Sequence, residues 1–289
     1  MPSEKREMQL LDENELSLNL IEAQYFLKNT RDQNNAKSVL VLVNGIELAG
    51  KGESVKQLRE WVDPRYLRVK ADPPMMLDQK QTFWQPYASS IPAEGQIMVM
   101  FGNWYSDLLV TALHVSKPLT ETVFDAYIQD MRAFEQDLKN NHVDVVKVWF
   151  DLSWKSLQKR LDNMGPSEVH WHKLHGLDWR NKKQYDNVQK LRQRFTDDWT
   201  VIECEDEKAR DQQFAQTILA ALEHCPEHLS QSKEKWKQAV IPEALLHPEN
   251  QPASDEDYKK ELKKLSLKVA EALRLDDREA IIVFEGMDA

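Results

Sequence analysis

The sequence predicts an α/β fold in which a parallel β-sheet is flanked by helices. Short apolar runs alternate along the chain with amphipathic patterns of helical period, which is the order expected for strand–helix–strand units. The clearest of these runs, at 39–43 and 97–101, are apolar at every position, as strands buried in a parallel sheet are. The first of them, Val39–Val43, leads directly into a glycine-rich turn and a further helical pattern. These three observations together indicate a parallel sheet with helices packed on it.

The first half of the chain carries three predicted helices and three predicted strands. Each helix has apolar residues on one face, such as Leu58 and Trp61 after the glycine turn. Prolines and glycines separate the elements. The predicted elements are a helix at about 10–28, the strand 39–43, the helix after the turn, a strand at 66–69, a helix at about 78–89 and a strand at 97–101.

The second half continues the alternation of helices and strands. Thr120 and Ser153 are predicted to cap two of the helices, because their hydroxyl oxygens can accept hydrogen bonds from first-turn amides. The predicted elements are a helix at 120–141, a strand at 143–153, a helix at 153–164, a strand at 198–206 and a closing helix at 208–224.

Composition and charge narrow the class of protein. The 289 residues are 41% hydrophobic, which allows a sizeable core, and the net charge of −10 argues against nucleic-acid binding. The N-terminus has no apolar signal-peptide region and no apolar run is long enough to span a membrane, so we expect no membrane association and a cytoplasmic location. Two cysteines, Cys204 and Cys225, are too few for a disulfide scaffold.

The glycine turn after the first strand matches most of a phosphate-binding loop. Gly45 is followed by four residues, Gly50 and Lys51, which fits the P-loop pattern G-x-x-x-x-G-K-[ST] except that Gly52 replaces the final hydroxyl residue. In that loop, backbone N–H groups at a helix N-terminus hold phosphate. The strand–turn–helix order supports this interpretation; the alternative is a plain glycine-rich turn.

The C-terminal residues repeat the pattern of the loop. The segment Val283–Ala289 (VFEGMDA) resembles Leu42–Leu48 (LVNGIEL), and a helical pattern precedes each. We therefore predict a P-loop phosphotransferase-like domain at 1–224, a linker at 225–255 and the truncated start of a second, homologous domain at 256–289. On this interpretation the chain is a fragment of a longer two-domain protein.

These segments resemble the polyphosphate kinase 2 family. VFEGMDA is similar to the opening of the family loop G-x-D-A-A-G-K-G, in which a glycine commonly follows the lysine, as Gly52 does here. FGNWYSD is similar to the second family motif, F-D-R-S-W-Y-N-R, and LDWRNKKQYDNVQKLRQRF to the family's lid. The tandem arrangement resembles the members that transfer phosphate from polyphosphate to AMP.

The resemblance implies a magnesium-dependent phosphoryl transfer and assigns site residues. Lys51 and Glu47 take the catalytic positions of the loop, with Glu47 as the candidate magnesium ligand in place of the family aspartate. Gly102 lies where the second motif has Asp and Arg, one residue is lost, and Asp107 aligns with the second Arg. We therefore expect a degenerate active site, since a second acid and its arginines are absent; Asp107 as a metal ligand is a less favoured alternative.

A basic segment after the fifth predicted helix is the candidate helical lid. It contains Arg180, Lys182 and Lys183, which are predicted to bind phosphate together with Gly45, Gly50, Lys51 and Gly52. The alternative is a solvated basic helix face. The neighbouring His170, His172 and His175 are a weak metal-site pattern, because no second group of metal-ligand residues follows them at a defined spacing.

The function predicted from the sequence is that of the N-terminal domain of a polyphosphate:AMP phosphotransferase, with a structural or regulatory role. Its predicted partners are polyphosphate, AMP or ADP, and further copies of itself. Two alternatives stay open: a non-catalytic oligomerisation or interaction module, and a weak nucleotide kinase in its own right.

Overall fold

The computed structural model describes residues 12–29, 37–77, 82–114, 118–163, 177–223 and 254–275. The chain divides into two compact units, residues 1–230 and 231–289. In the second unit the described element is one helix, Asp255–Leu275. The predicted linker, apart from its last two residues, and the segment Val283–Ala289 lie outside the described residues, so the domain boundaries stay predictions.

The first unit is built on a five-stranded sheet in which every pairing is parallel. The strand order is β2-β3-β1-β4-β5. The central strand β1 is buried along almost its whole length, as the continuous apolar run predicts. The strands are β1 Ser38–Gly45, β2 Leu67–Ala71, β3 Ile97–Phe101, β4 Val143–Asp151 and β5 Thr200–Glu203.

Helices pack on both faces of this sheet, which confirms the predicted α/β class. On one face, Phe150 of β4 packs against Phe214 of a helix that follows β5. On the other face, Lys147 of β4 pairs with Glu135 of the long helix before it. The helices of the first unit are α1 Glu13–Asn29, α2 Lys51–Trp61, α3 Trp104–Ala112, α4 Glu121–Asn140, α5 Trp154–Asp162, α6 Lys182–Arg192 and α7 Glu207–Glu223.

The two predicted helix caps are confirmed. The Thr120 hydroxyl accepts a hydrogen bond from the Val123 amide at the start of α4. The Ser153 hydroxyl accepts one from the Ser156 amide at the start of α5. Among the described residues, no helix is long and apolar enough to cross a membrane.

Two local predictions differ from the structure. In place of a helix at 78–89, the described part contains a 3-10 turn at Gln85–Ser90, because Pro86 lacks the N–H that an α-helix would use and Pro92 follows closely. The helix α3 was not predicted as a separate element. Both Trp104 and Leu109 are buried, and the apolar residues of α3 surround its axis, so the segment lacks an amphipathic period.

Candidate active site

The predicted phosphate loop lies between the end of β1 and the start of α2, at the carboxyl edge of the sheet. Gly45 has a φ of +146°, and a Cβ atom there would lie 2.2 Å from the Phe150 carbonyl oxygen on β4. Only glycine permits this close approach of the two strands. The chain then turns through Leu48 and Gly50, both with positive φ, and enters α2 at Lys51.

Lys51 and Glu47 come together inside the loop. The Lys51 ammonium donates hydrogen bonds to the carbonyl oxygens of Ile46, at 2.8 Å, and Gly45, at 3.3 Å. It lies 3.8 Å from the Glu47 carboxylate. The Lys51 side chain is 20% exposed, so the ammonium is at the loop surface and not in the core.

The N-terminus of α2 leaves room for an anion. Its N-cap residue, Gly50, has a φ of +91° and no side chain to accept from the first-turn amides. A Cβ atom at Gly52 would meet no other atom within 4 Å. Unsatisfied N–H groups beside open space at a helix N-terminus are the arrangement that favours phosphate.

Two arginines that the sequence did not single out border the loop. Arg160 of α5 donates to the Leu48 carbonyl at 2.7 Å and to the Cys204 carbonyl at 2.6 Å. Arg210 of α7 lies against Gly50, where its Nη1 atom would be 1.9 Å from an added Cβ. Both helices follow strands of the same parallel sheet and therefore begin at the edge where the loop lies; that topology is the signal by which the two arginines could have been found.

Buried Cys204 lies within the field of these cations. Burial raises the pKa of its thiol to about 12, while Arg210, Lys51 and Arg160 all oppose that rise. Three positive charges therefore surround one short stretch of the sheet edge, which suits a polyanionic ligand.

Gly102, which the family resemblance aligns with the second motif, lies close to the backbone of a neighbouring segment. Gly102 has a φ of +61°, and a Cβ there would lie 1.9 Å from the Asp72 carbonyl oxygen. Beside it, a neutral network links three side chains: Asn44 donates to Asn103 at 2.8 Å, and Ser106 donates to Asn44 at 2.6 Å. Two amides and a hydroxyl are therefore linked next to the position that the family resemblance aligns with an acid.

Asp107 is committed to a structural role. It is 2% exposed, and its carboxylate accepts hydrogen bonds from the Met75 amide, at 2.7 Å, and from the Tyr87 hydroxyl. These contacts hold the segment after β2 against α3. Burial raises the pKa of Asp107, although both hydrogen bonds oppose the rise. This environment disfavours the alternative in which Asp107 binds a metal ion.

The raised pKa predicts a pH-dependent contribution to stability. The folded state keeps the Asp107 proton at pH values where the unfolded chain, near its ordinary pKa of 3.8, has lost it. The free energy of unfolding therefore includes a contribution that falls as pH rises from about 4 through the raised pKa. Asp107→Asn is expected to remove this slope in urea titrations between pH 4 and 7, whereas Asp162→Asn, at a 68% exposed carboxylate, should keep it. An unchanged slope in Asp107→Asn would contradict the assignment.

The predicted lid residues lie on or beside α6 and make local contacts. Arg180 pairs with Asp162 at 2.9 Å and donates to the Leu161 carbonyl. Lys182 pairs with Asp186, and Lys183 is exposed. Within the described part of the chain, none of the three basic residues donates a hydrogen bond to the loop. Their role in phosphate binding stays a prediction.

The middle and C-terminal part of α6 is bonded to the end of strand β4. Asp151, at the end of β4, pairs with Arg192 at 2.8 Å and accepts from Gln189 at 2.8 Å. The Tyr185 hydroxyl donates to the Leu152 carbonyl. The basic residues at the N-terminus of α6 are therefore carried by a helix that is fixed next to the loop strand.

The described residues do not fit a magnesium ion held by two protein carboxylates. No group of three or more His, Cys, Asp or Glu side chains among them is placed to bind a metal. Glu47 lies beside Lys51, Asp107 is engaged elsewhere, and Gly102 offers no ligand. His170, His172 and His175 lie outside the described residues.

Comparison with known proteins identifies the relatives of this chain. A polyphosphate:AMP phosphotransferase of Acinetobacter johnsonii is 69% identical over 280 residues, which cover 97% of this chain and 59% of the relative. The corresponding protein of Pseudomonas aeruginosa is 30% identical, over 95% of this chain and 58% of the relative. The chain therefore spans less than two thirds of the length of these relatives.

Solved structures of polyphosphate kinase 2 proteins are also similar to this chain. The crystal structure of a polyphosphate kinase 2 from Pseudomonas aeruginosa matches 93% of this chain and 55% of its own, with a TM-score of 0.58 and 28% identity. One from Arthrobacter aurescens, at 23% identity and a TM-score of 0.62, supports the P-loop kinase-like fold alone. The family profile of polyphosphate kinase 2 (PPK2) matches residues 5–229. The chain belongs to the polyphosphate kinase 2 family.

Proposed function

We propose that this chain is the N-terminal part of a polyphosphate:AMP phosphotransferase and that its own role is to bind polyphosphate. The observation that carries the proposal is the loop Gly45–Gly52, where a lysine and a helix N-terminus adjoin open space in a polyphosphate kinase 2 domain. The polyphosphate:AMP phosphotransferase of Acinetobacter johnsonii, at 69% identity, supports this phosphotransferase activity for the longer protein.

Phosphoryl transfer needs positive charge and geometry more than covalent help from the protein. An oxygen of the AMP phosphate attacks the terminal phosphorus of polyphosphate, the P–O bond to the shortened chain breaks, and ADP forms. Lys51 and the first-turn amides of α2 would hold the non-bridging oxygens of the phosphate chain. Arg180, Lys182 and Lys183 would add charge along that chain from the side of α6.

We infer that turnover at this site is weak. The position of the family aspartate is closed to a side chain at Gly102, and its neighbours Asn44, Asn103 and Ser106 are neutral. Binding without efficient transfer suits a domain that captures polyphosphate or regulates the rest of a longer protein. The alternative function, a module that only oligomerises, is less favoured, because oligomerisation does not require open space at Gly52.

Magnesium has a limited part in this proposal. The family resemblance implies magnesium, and Glu47 is the one carboxylate of the loop that we assign to it. Because the part of the chain that the structure describes lacks a two-carboxylate site, the neutralising charge for bound polyphosphate comes from lysine and arginine side chains. Assembly into homo-oligomers and a cytoplasmic location are further expectations, and they rest on the family resemblance and the composition alone.

Polyphosphate binding tests the proposed function directly. The chain is expected to bind a labelled polyphosphate in EDTA, and Lys51→Ala should weaken that binding about 10-fold or more, since a hydrogen bond from a charged group contributes about 1.5–3 kcal/mol. Lys56→Ala removes the same charge from an exposed position on the same helix and should change the affinity less than about 2-fold.

A third variant tests the open space at the helix N-terminus. Gly52→Ala is expected to preserve stability, because its Cβ meets no atom, and to weaken binding by filling the anion space. Equal affinities for the wild type, Lys51→Ala and Gly52→Ala in fluorescence anisotropy would contradict binding at this loop.

A further inference from the structure

Arg210 is an almost fully buried cation beside the phosphate loop. It lies in the first turn of α7 and is 2% exposed. Its Nε atom donates to the Ser54 hydroxyl at 2.9 Å and to the Asp211 carboxylate at 2.8 Å. Ser54 also donates to Asp211. One edge of the guanidinium is thus fixed by a network that joins α2 to α7.

The other edge of the guanidinium faces the helix N-terminus that forms the loop. Its Nη1 atom would lie 1.9 Å from a Cβ on Gly50, so it occupies the space that the missing side chain leaves. Within the described residues, the side-chain hydrogen bonds of Arg210 all start from Nε. Its two terminal nitrogens make no hydrogen bond to these residues, so they are available to donate to an anion.

Arg210 differs in this respect from the other two cations of the loop. Lys51 donates to the carbonyls of Gly45 and Ile46, and Arg160 donates to those of Leu48 and Cys204. These bonds satisfy the loop backbone before any ligand arrives. Arg210 keeps unused donors at the point where the first-turn amides of α2 have no side-chain cap.

We propose that Arg210 is a phosphate-binding residue of this loop, whose terminal nitrogens donate to the non-bridging oxygens of a phosphate group held at the N-terminus of α2. The planar guanidinium suits this ligand, because its nitrogens can donate two parallel hydrogen bonds to one phosphate. This inference rests on the proposed polyphosphate binding and adds a residue from α7 to the site. It also accounts for Gly50, since any side chain there would displace Arg210.

The competing explanation is that Arg210 only fastens α7 to α2. Both explanations predict that loss of Arg210 destabilises the domain, so stability alone does not separate them. They differ in ligand affinity. A fastening residue affects affinity only through the folded fraction, whereas a phosphate ligand affects the affinity of molecules that are folded.

The experiment compares Arg210→Lys with Ser54→Ala in the full 289-residue chain. Arg210→Lys keeps a positive charge but loses the paired donors; Ser54→Ala breaks the fastening network and leaves the guanidinium in place. Far-UV circular dichroism and urea titration give the folded fraction of each variant. Binding of labelled polyphosphate is then measured at a temperature where each variant is fully folded.

We expect Arg210→Lys to bind polyphosphate about 10-fold more weakly than the wild type, and Ser54→Ala to bind within about 2-fold of it. The rise of the thermal midpoint with added polyphosphate should be smaller in Arg210→Lys and normal in Ser54→Ala. Wild-type affinity in Arg210→Lys, together with weak binding in Lys51→Ala, would overturn the role of Arg210 and leave the proposed function intact. Absence of binding by the wild type would overturn both.

Discussion

AMP phosphorylation by the purified chain is expected to be at least about 10²–10³-fold slower than by a polyphosphate kinase 2 protein that has the full F-D-R-S-W-Y-N-R motif. Removal of one group that stabilises transition-state charge typically costs that factor. Here the aspartate position is Gly102, and the neutral Asn44–Asn103 network lies beside it. Asp107 does not compensate, because Met75 and Tyr87 already occupy its carboxylate.

The assay measures ADP formed from AMP, polyphosphate and magnesium. A polyphosphate kinase 2 protein with the intact motif is the positive control, and Lys51→Ala gives the background. The wild-type chain should differ little from Lys51→Ala in turnover, even though the two differ in polyphosphate binding. Robust turnover that disappears in Lys51→Ala would show that this domain is a working kinase and that its active site is not degenerate.

Restoring the family aspartate by Gly102→Asp is expected to destabilise the domain by about 3–5 kcal/mol and to leave turnover at background. The residue has a φ of +61°, and its Cβ would overlap the Asp72 carbonyl oxygen at 1.9 Å. A left-handed conformation and a forced backbone shift each cost about 1–3 kcal/mol. The backbone at the ends of β2 and β3 is therefore expected to oppose an acidic side chain at Gly102.

The same substitution at Gly52 is the matched control. Gly52→Asp places an acid in open space in the first turn of α2, where negative charge is favourable, so the free energy of unfolding should change by less than about 0.5 kcal/mol. Urea denaturation of both variants measures the difference. A Gly102→Asp variant that is as stable as the wild type and gains turnover would show that the Asp72 segment moves aside easily.

Much of the fold could be predicted from local sequence. All five predicted strands are present in the parallel sheet. The fully apolar runs at 39–43 and 97–101 became the buried strands β1 and β3, because a strand buried on both faces needs apolar residues at nearly every position. Thr120 and Ser153 cap their helices as predicted, because capping depends on residues within one turn. The α3 helix and the 3-10 turn at Gln85–Ser90 were not predicted, since the apolar residues of α3 follow no amphipathic period and Pro86 interrupts the helical pattern expected at 78–89.

In the candidate site, too, some features follow from local sequence and others only from the tertiary structure. The sequence by itself determined the strand–loop–helix order around Lys51 and the family resemblance, because these depend on spacing along one segment. Only the tertiary structure showed that Arg160 and Arg210 border that loop, more than a hundred residues away in sequence. It also decided that Gly102 cannot simply be replaced by an acid, since the obstacle is the Asp72 carbonyl of a neighbouring strand end. Contacts between segments distant in sequence depend on which strands become neighbours in the sheet, and the residues of one segment do not specify its neighbours.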